Sequence, residues 1–232
     1  MGCLESLHGK STAKAGLLGH YGLIEWWQSA FTPAERERIE SVFAPFGSTM
    51  RLEATDIEPL SKRAHRPLTQ GATGEMHGTM ANAIGLLSSL IGWLRSTPED
   101  LAIRRKMRDQ LASLIDAEPN AVARHFALQA LIGEFYRDRD SNPNARLAAI
   151  NCCKAQIALA AQVATSMRRN FPGQLPRHVG FEQLAVILEK DKEYAAAIAT
   201  CEEALRGGWN GDWEKRIERC RKRMAKLGGE SA

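Results

Sequence analysis

The chain has 232 residues, enough for one domain or two closely docked ones. Apolar residues at 44% and charged residues at 25% are ordinary for a soluble globular protein. The formal net charge of +4, from 31 basic and 27 acidic residues, is too small and dispersed to argue nucleic acid by itself.

Five cysteines with no framework spacing, Cys152 and Cys153 adjacent, fit reduced thiols better than disulfides. The N-terminus lacks the charged start and apolar run of a signal peptide. The most apolar run, Met80 to Leu94, is about 15 residues and includes Asn82, Ser88 and Ser89. A bilayer needs roughly 20. A cytoplasmic protein with no membrane partner is expected. Gly2, Cys3 and Ser6 match a myristoylation pattern, which has meaning only in a eukaryotic cell. Gly9-Lys10-Ser11 has the end of a phosphate-binding loop but lacks its first glycine and a preceding strand.

In chain order, a helix is predicted from about Ala13 to Phe31, with Leu17, Tyr21, Ile24 and Trp27 along one face and Trp26-Trp27 as its apolar anchor. Thr32-Pro33-Ala34-Glu35 opens the next helix with a capping box. Ile39, Val42, Phe43 and Phe46 give that helix its buried face. From Gly47 to about Gly74 periodicity disappears around Pro59, Pro67 and a basic patch of Lys62, Arg63, His65 and Arg66. His65, His77, Asp56, Glu58 and Glu75 show no metal-ligand spacing, and no metal is assigned.

A helix from Glu75 to Leu94 has Ile84, Leu87, Ile91 and Leu94 on one face and Gly78, Gly85 and Gly92 every seven residues on another. Each glycine costs about 1 kcal/mol of helix propensity. The stripe therefore predicts close approach of another helix, with a homodimer seam as the alternative. Thr97 and Pro98 start a further helix carrying Ile103, Met107, Leu111, Leu114 and Ile115, with Arg104, Arg105, Lys106 and Arg108 expected on its outer face. Pro119 ends it. Helices follow from about Asn120 to Arg137, after Ser141-Asn142-Pro143 through Ile157, and from Ala161 to Phe171, with 172–176 expected as a linker.

From His178 to Trp209 two short helices meet at the turn Asp191-Lys192-Glu193, and Gly207-Gly208 stops the second. Phe181, Leu184, Ala185 and Leu188 line the first; Ala197, Ile198, Cys201, Ala204 and Leu205 line the second. Phe181, Leu184-Ala185, Leu188, Tyr194, Ala197, Cys201 and Ala204 fall where a tetratricopeptide repeat has its bulky and small residues, and the pair resembles that family over 178–209. Trp209 stands where the family has Pro, which places the end of the array here. Residues 124–160 resemble a degenerate second repeat through Leu128, Leu131, Phe135, Ala149-Ile150, Cys153 and Ile157, with Gln156 in place of a small residue. The final helix, 212–227, has the narrow stripe Trp213, Ile217, Cys220, Met224 and Leu227 and an otherwise basic surface, the pattern of a cap.

The expected fold is all-α: an N-terminal helical region over 1–96, then a right-handed, TPR-like helical-hairpin solenoid over 97–232. The resemblance implies a noncatalytic module holding a peptide or partner helix in a groove lined by Gln129, Gly133, Tyr136, Arg137, Glu182, Val186 and Glu189. Glu182 and Val186 stand where the family's carboxylate clamp has Lys and Asn, which disfavours a free carboxylate. Glu182 and Glu189 would attract a basic or amphipathic segment. The alternative is nucleic acid on Lys215, Arg219, Lys222 and Arg223, with Trp209 and Trp213 near for stacking. No nucleophile elbow, zincin helix or CxxC pair is present, and no cofactor is expected; an obligate homodimer or an enzyme with a dispersed active site stands as the further alternative. His125 and His178, at helix starts, are expected to cap or pack.

Overall fold

The structure is a computed structural model that describes residues 16–43, 52, 82–170 and 173–229. The Gly2, Cys3 and Ser6 pattern, the glycine motif at 9–11, the start of the first expected helix, the 47–74 stretch apart from a buried Leu52, the set His65, His77, Asp56, Glu58 and Glu75, and Gly78 lie outside them. The described residues form helices and one short parallel strand pair, an all-α architecture apart from that pair. The chain divides into two compact units, Met1–Gln110 and Leu111–Ala232. The sequence pattern sets the boundary at 96/97.

In the first unit the helix expected over 13–31 is broken. Helix α1 spans Gly16–His20 and α2 spans Ile24–Ala30. Between them Gly22 takes φ +69, the left-handed region open to glycine, and Leu23 N–H bonds back to the Leu18 carbonyl at 2.7 Å. Leu18 and Leu23 are buried with Leu17 and Trp27, while Tyr21 and Ile24 are only partly covered. Trp27 is fully buried and lies 5.2 Å from the Phe31 ring, so it anchors a core as expected, whereas its neighbour Trp26 is only half-buried.

Helix α3 (Pro33–Phe43) starts on the predicted capping box. Thr32 N–H donates to the Glu35 carboxylate at 2.8 Å, and Glu35 N–H donates to Thr32 Oγ1 at 3.3 Å.

Helix α4 (Ala83–Trp93) is capped by Asn82, which accepts from Gly85 N–H, and buries Ile84, Leu86, Leu87, Leu90 and Ile91. The glycine stripe behaves differently from expectation at Gly92. It is exposed, and a Cβ there would meet nothing within 4 Å. No close helix approach explains it.

Helix α5 (Pro98–Leu114) is capped by Thr97 Oγ1, which accepts from Asp100 N–H at 3.3 Å. Its basic cluster is not a solvated outer face: Arg104 and Arg108 are buried, and of the four only Arg105 is fully exposed. Arg104 Nη1 donates to the Leu94 carbonyl at 2.8 Å, satisfying an open acceptor at the end of α4. Lys106 reaches Glu35 at 2.7 Å, and Arg38 grips Asp100 through two bonds at 2.8 and 2.9 Å.

The second unit contains the end of α5, a short 3-10 turn at Ile115–Ala117, and two helical hairpins. The first is α6 (Ala121–Arg137) with α7 (Pro143–Ala158), started by Asn120 and Asn142 as caps. Helix α8 (Ala160–Asn170) leaves α7 at 55°; Leu159 N–H turns to the Gln156 carbonyl, three residues back, and the helical ladder slips there. The second hairpin is α9 (Val179–Lys190) with α10 (Tyr194–Gly207). Lys192 at φ 65 makes its turn, and Gly208 at φ 75 ends it as the left-handed cap the sequence predicts.

Helix α9 packs on α7, and α11 (Trp213–Gly229) packs on α10. The core joins Val163 and Ala164 of α8, Phe181 and Ala185 of α9, Cys201 and Ala204 of α10, and Trp209, Trp213 and Ile217. The buried face of α9 is rotated from expectation: Gly180 and Ile187 are buried, while Leu184 and Leu188 are partly covered.

The expected linker is in part a strand. Strand β1 (Leu175–Arg177) pairs in parallel with β2 (Trp209–Asn210), Leu175 opposite Trp209 and Arg177 opposite Asn210. The pair clasps the two ends of the α9–α10 hairpin. Pro176 is tolerated because neither strand has a second neighbour.

Candidate interaction surface

The seven positions expected to line a groove stand on α6 and α9. On α6, Gly133 and Arg137 are exposed, while Gln129 and Tyr136 are half-buried. Gly133 has open space where a side chain would begin. Arg137 pairs with Glu134 at 2.6 Å. Tyr136 is bracketed by cations: Lys190 Nζ donates to its hydroxyl at 3.1 Å, and the Arg139 guanidinium lies 4.3 Å over its ring. Arg146 and Asp191 pair at the same end, and these side chains line a small depression of about 190 Å³. Val186 is half-buried.

The two acidic positions are already satisfied. Glu182 is paired with Arg177, and Glu189 is buried under three arginines of α11. Arg216 reaches it at 2.7 Å, Arg219 at 2.7 and 2.8 Å, and Arg223 at 2.8 Å. The Arg219 bond, with the charges of Arg216 and Arg223, holds the Glu189 carboxyl down at about 2. An acidic groove open to a basic segment is therefore not what these two carboxylates supply. The signal was present in the sequence as an acid on one helix and an i, i+3, i+7 row of arginines on another; their pairing depends on how α11 docks.

The rest of α11 is exposed and basic. Lys215, Arg219, Lys222, Arg223 and Lys226, with Glu218, line a shallow depression of about 360 Å³. Seven basic and two acidic residues over 213–229 give this helix a net +5, against +4 for the whole chain. Trp209 and Trp213, expected beside it for stacking, are both 3% exposed. Trp213 Nε1 donates to the Trp209 carbonyl at 2.7 Å. They belong to the core, not to a ligand platform.

His125 and His178 form a buried aromatic cluster with Trp209 and Phe181. Their rings lie 4.9 Å apart, His125 stacks on Trp209 at 5.7 Å, and His178 meets Trp209 edge-on at 4.6 Å. His178 Nδ1 caps α9 by accepting from Phe181 N–H, which leaves the proton on Nε2. Burial pushes His125 down to about 4; burial, then the neighbouring His125, pushes His178 down to about 3. Both are neutral packing groups. Gln156, fully buried, donates to the His125 carbonyl at 2.8 Å and accepts from Gly180 N–H at 2.6 Å.

Burial raises the thiols of Cys152 and Cys201 to about 11 and that of Cys153 to about 12, so none is held as the nucleophilic thiolate. Among the described residues no three His, Cys, Asp or Glu side chains gather to hold a metal ion, and no single helix is long and apolar enough to cross a membrane. No family model, curated protein or solved structure matches the chain.

Proposed function

We propose that the chain is a noncatalytic protein–protein interaction module, with Leu111–Ala232 a right-handed, TPR-like solenoid that holds a partner segment along α6 and α9. The reading rests on one observation: two helical hairpins, the second packed on the first through α9 against α7, with the small residues Ala149, Cys153, Ala185, Ala197, Cys201 and Ala204 buried along them. Small residues let helices approach closely, and a stack of hairpins presents its first helices side by side. The polar-backed α11 closes the last face. Exposed Gly133 and the cation-bracketed Tyr136 then lie on the open side of α6.

The test uses the full chain, tagged in its own cells, captured with and without nuclease, beside Gly133→Arg. The new side chain projects into open space and obstructs the groove without disturbing the core. A discrete protein that survives nuclease and is lost with Gly133→Arg is the expected result. Partners that persist in the variant overturn the groove. The second reading, nucleic acid on α11, has the exposed basic side chains in its favour and lacks the stacking tryptophans. Capture that collapses with nuclease, together with steep salt dependence, would support it.

A further inference from the structure

The basic face of α11 adjoins the groove, because Glu189 is at once a groove position on α9 and the anchor of Arg216, Arg219 and Arg223. What remains after that pairing is a row of outward cations, two of them in exposed ion pairs, Lys222 with Glu218 at 2.6 Å and Lys215 with Asp212 at 3.5 Å. Lys215, Lys222 and Lys226 are exposed, and the side chains of Arg219 and Arg223 keep 44% and 49% of their surface open. Lys215, Arg219 and Arg223 recur every four residues, as do Lys222 and Lys226. Four residues of helix rise about 6 Å, and the whole row from 215 to 226 spans about 16 Å.

An extended polypeptide repeats the same side every second residue, about 6.7 Å, close to that helical step. About five extended residues cover the row and bring two or three side chains of one face against it. The charge also sets a size. Six basic groups on this face, Lys215, Arg216, Arg219, Lys222, Arg223 and Lys226, stand among the carboxylates of Glu189, Asp212, Glu214 and Glu218. The excess of about two positive charges matches a ligand with a few anionic groups rather than a dense polyphosphate. The absence of an exposed Trp209 or Trp213 removes the base-stacking contribution that single-stranded nucleic acid would use.

We propose that this face of α11 binds an acidic polypeptide segment carrying Asp or Glu at alternate positions, which enters beside α9. The proposal rests on the interaction-module reading and names the chemistry of its partner. It replaces the acid-lined groove with a cation-lined edge.

The test titrates full-length protein with a labelled decapeptide alternating Glu and Ser, its Gln counterpart, and a single-stranded oligonucleotide. The variant is the triple Lys215→Gln, Lys222→Gln and Lys226→Gln, which leaves the arginines on Glu189 in place. A triple reversal to Glu at the same positions gives a second variant, and helical content is read for both. The Glu peptide should bind, the Gln peptide at least about tenfold more weakly, and the triple variants should lose at least about tenfold, as the removal of two or three charge pairs implies. Equal binding of Glu and Gln peptides, or full binding by a folded triple variant, overturns the proposal. Tighter binding of the oligonucleotide overturns it in favour of nucleic acid. The groove and the edge are separable. A partner lost with Gly133→Arg but kept by the lysine variants leaves the module reading standing and this proposal refuted. A partner kept by both refutes the two together.

Discussion

Gln156 stands in the sequence as a departure from the repeat pattern, a polar residue where a small one is expected, yet its amide spans two elements. It holds the carbonyl of His125 on α6 and the N–H of Gly180 at the start of α9. Replacing it with Leu leaves the Gly180 N–H, in the first turn of α9, buried and unpaired, at about 1–3 kcal/mol, and removes the second donor from the His125 carbonyl. Urea unfolding of Gln156→Leu should show a loss of about 1–3 kcal/mol; an unchanged midpoint would refute the bridge. Gly180 is tied to the same amide, since a Cβ there would lie 2.7 Å from Gln156 Oε1 and 3.0 Å from the Cys153 carbonyl. The two buried histidines set the acid response. Their folded values, about 4 and about 3, lie below the ordinary 6.5, so the unfolded chain takes up more protons between these values. The stability is fully present above about pH 6.5 and falls as pH drops toward 4 and 3. Glu189 adds a separate loss only as pH falls from about 4.5 toward 2. Denaturant midpoints measured from pH 7 to 4 should decline, and the decline should flatten in His178→Asn, where Asn retains the helix cap.

At the level of elements, the local signals were legible and the tertiary ones were not. The caps at Thr32 and Thr97, and the Gly208 stop, follow from side-chain and backbone chemistry within a few residues. The break at Gly22 was hidden because the apolar spacing runs through it. Strand β1 was hidden because three residues with a proline carry no alternation, and its partner lies a hairpin away. Arg104 and Glu189 looked solvated because their partners lie on other helices. The α11 docking contact is testable: Glu189→Ala should strip three arginines of their shared acceptor and cost about 1–3 kcal/mol, with faster amide exchange along α11. Unaltered exchange there would show that the apolar stripe alone docks the helix. The open positions make the opposite prediction. Gly92→Ala and Gly133→Ala each meet empty space and should stabilise by about 0.5–1 kcal/mol, read as a higher Tm.

For the whole molecule, the helical architecture came through because long amphipathic periods dominate the chain, while the ligand did not. Positions on α6 and α9 can be named from spacing, but whether an acid among them is free depends on docking that no spacing encodes. The charge distribution carries the functional consequence. With α11 at a net +5, the rest of the chain sums to −1, so nearly all of the molecule's attraction for anions originates in one helix. Association with an acidic segment should accordingly slow as salt rises, while dissociation changes less. Stopped-flow rates at two ionic strengths would read that difference.

The clasp between β1 and β2 has a mechanical side. Because the strands run parallel, chain tension enters at Leu175 and leaves at Asn210, at opposite ends of the pair. A pull on the two ends of the chain loads the strand bonds side by side, in shear, instead of opening them one after another. The α9–α10 hairpin between them carries no load until the clasp gives way. In a force-extension trace α11 should peel first, and the hairpin should release its length in one later step.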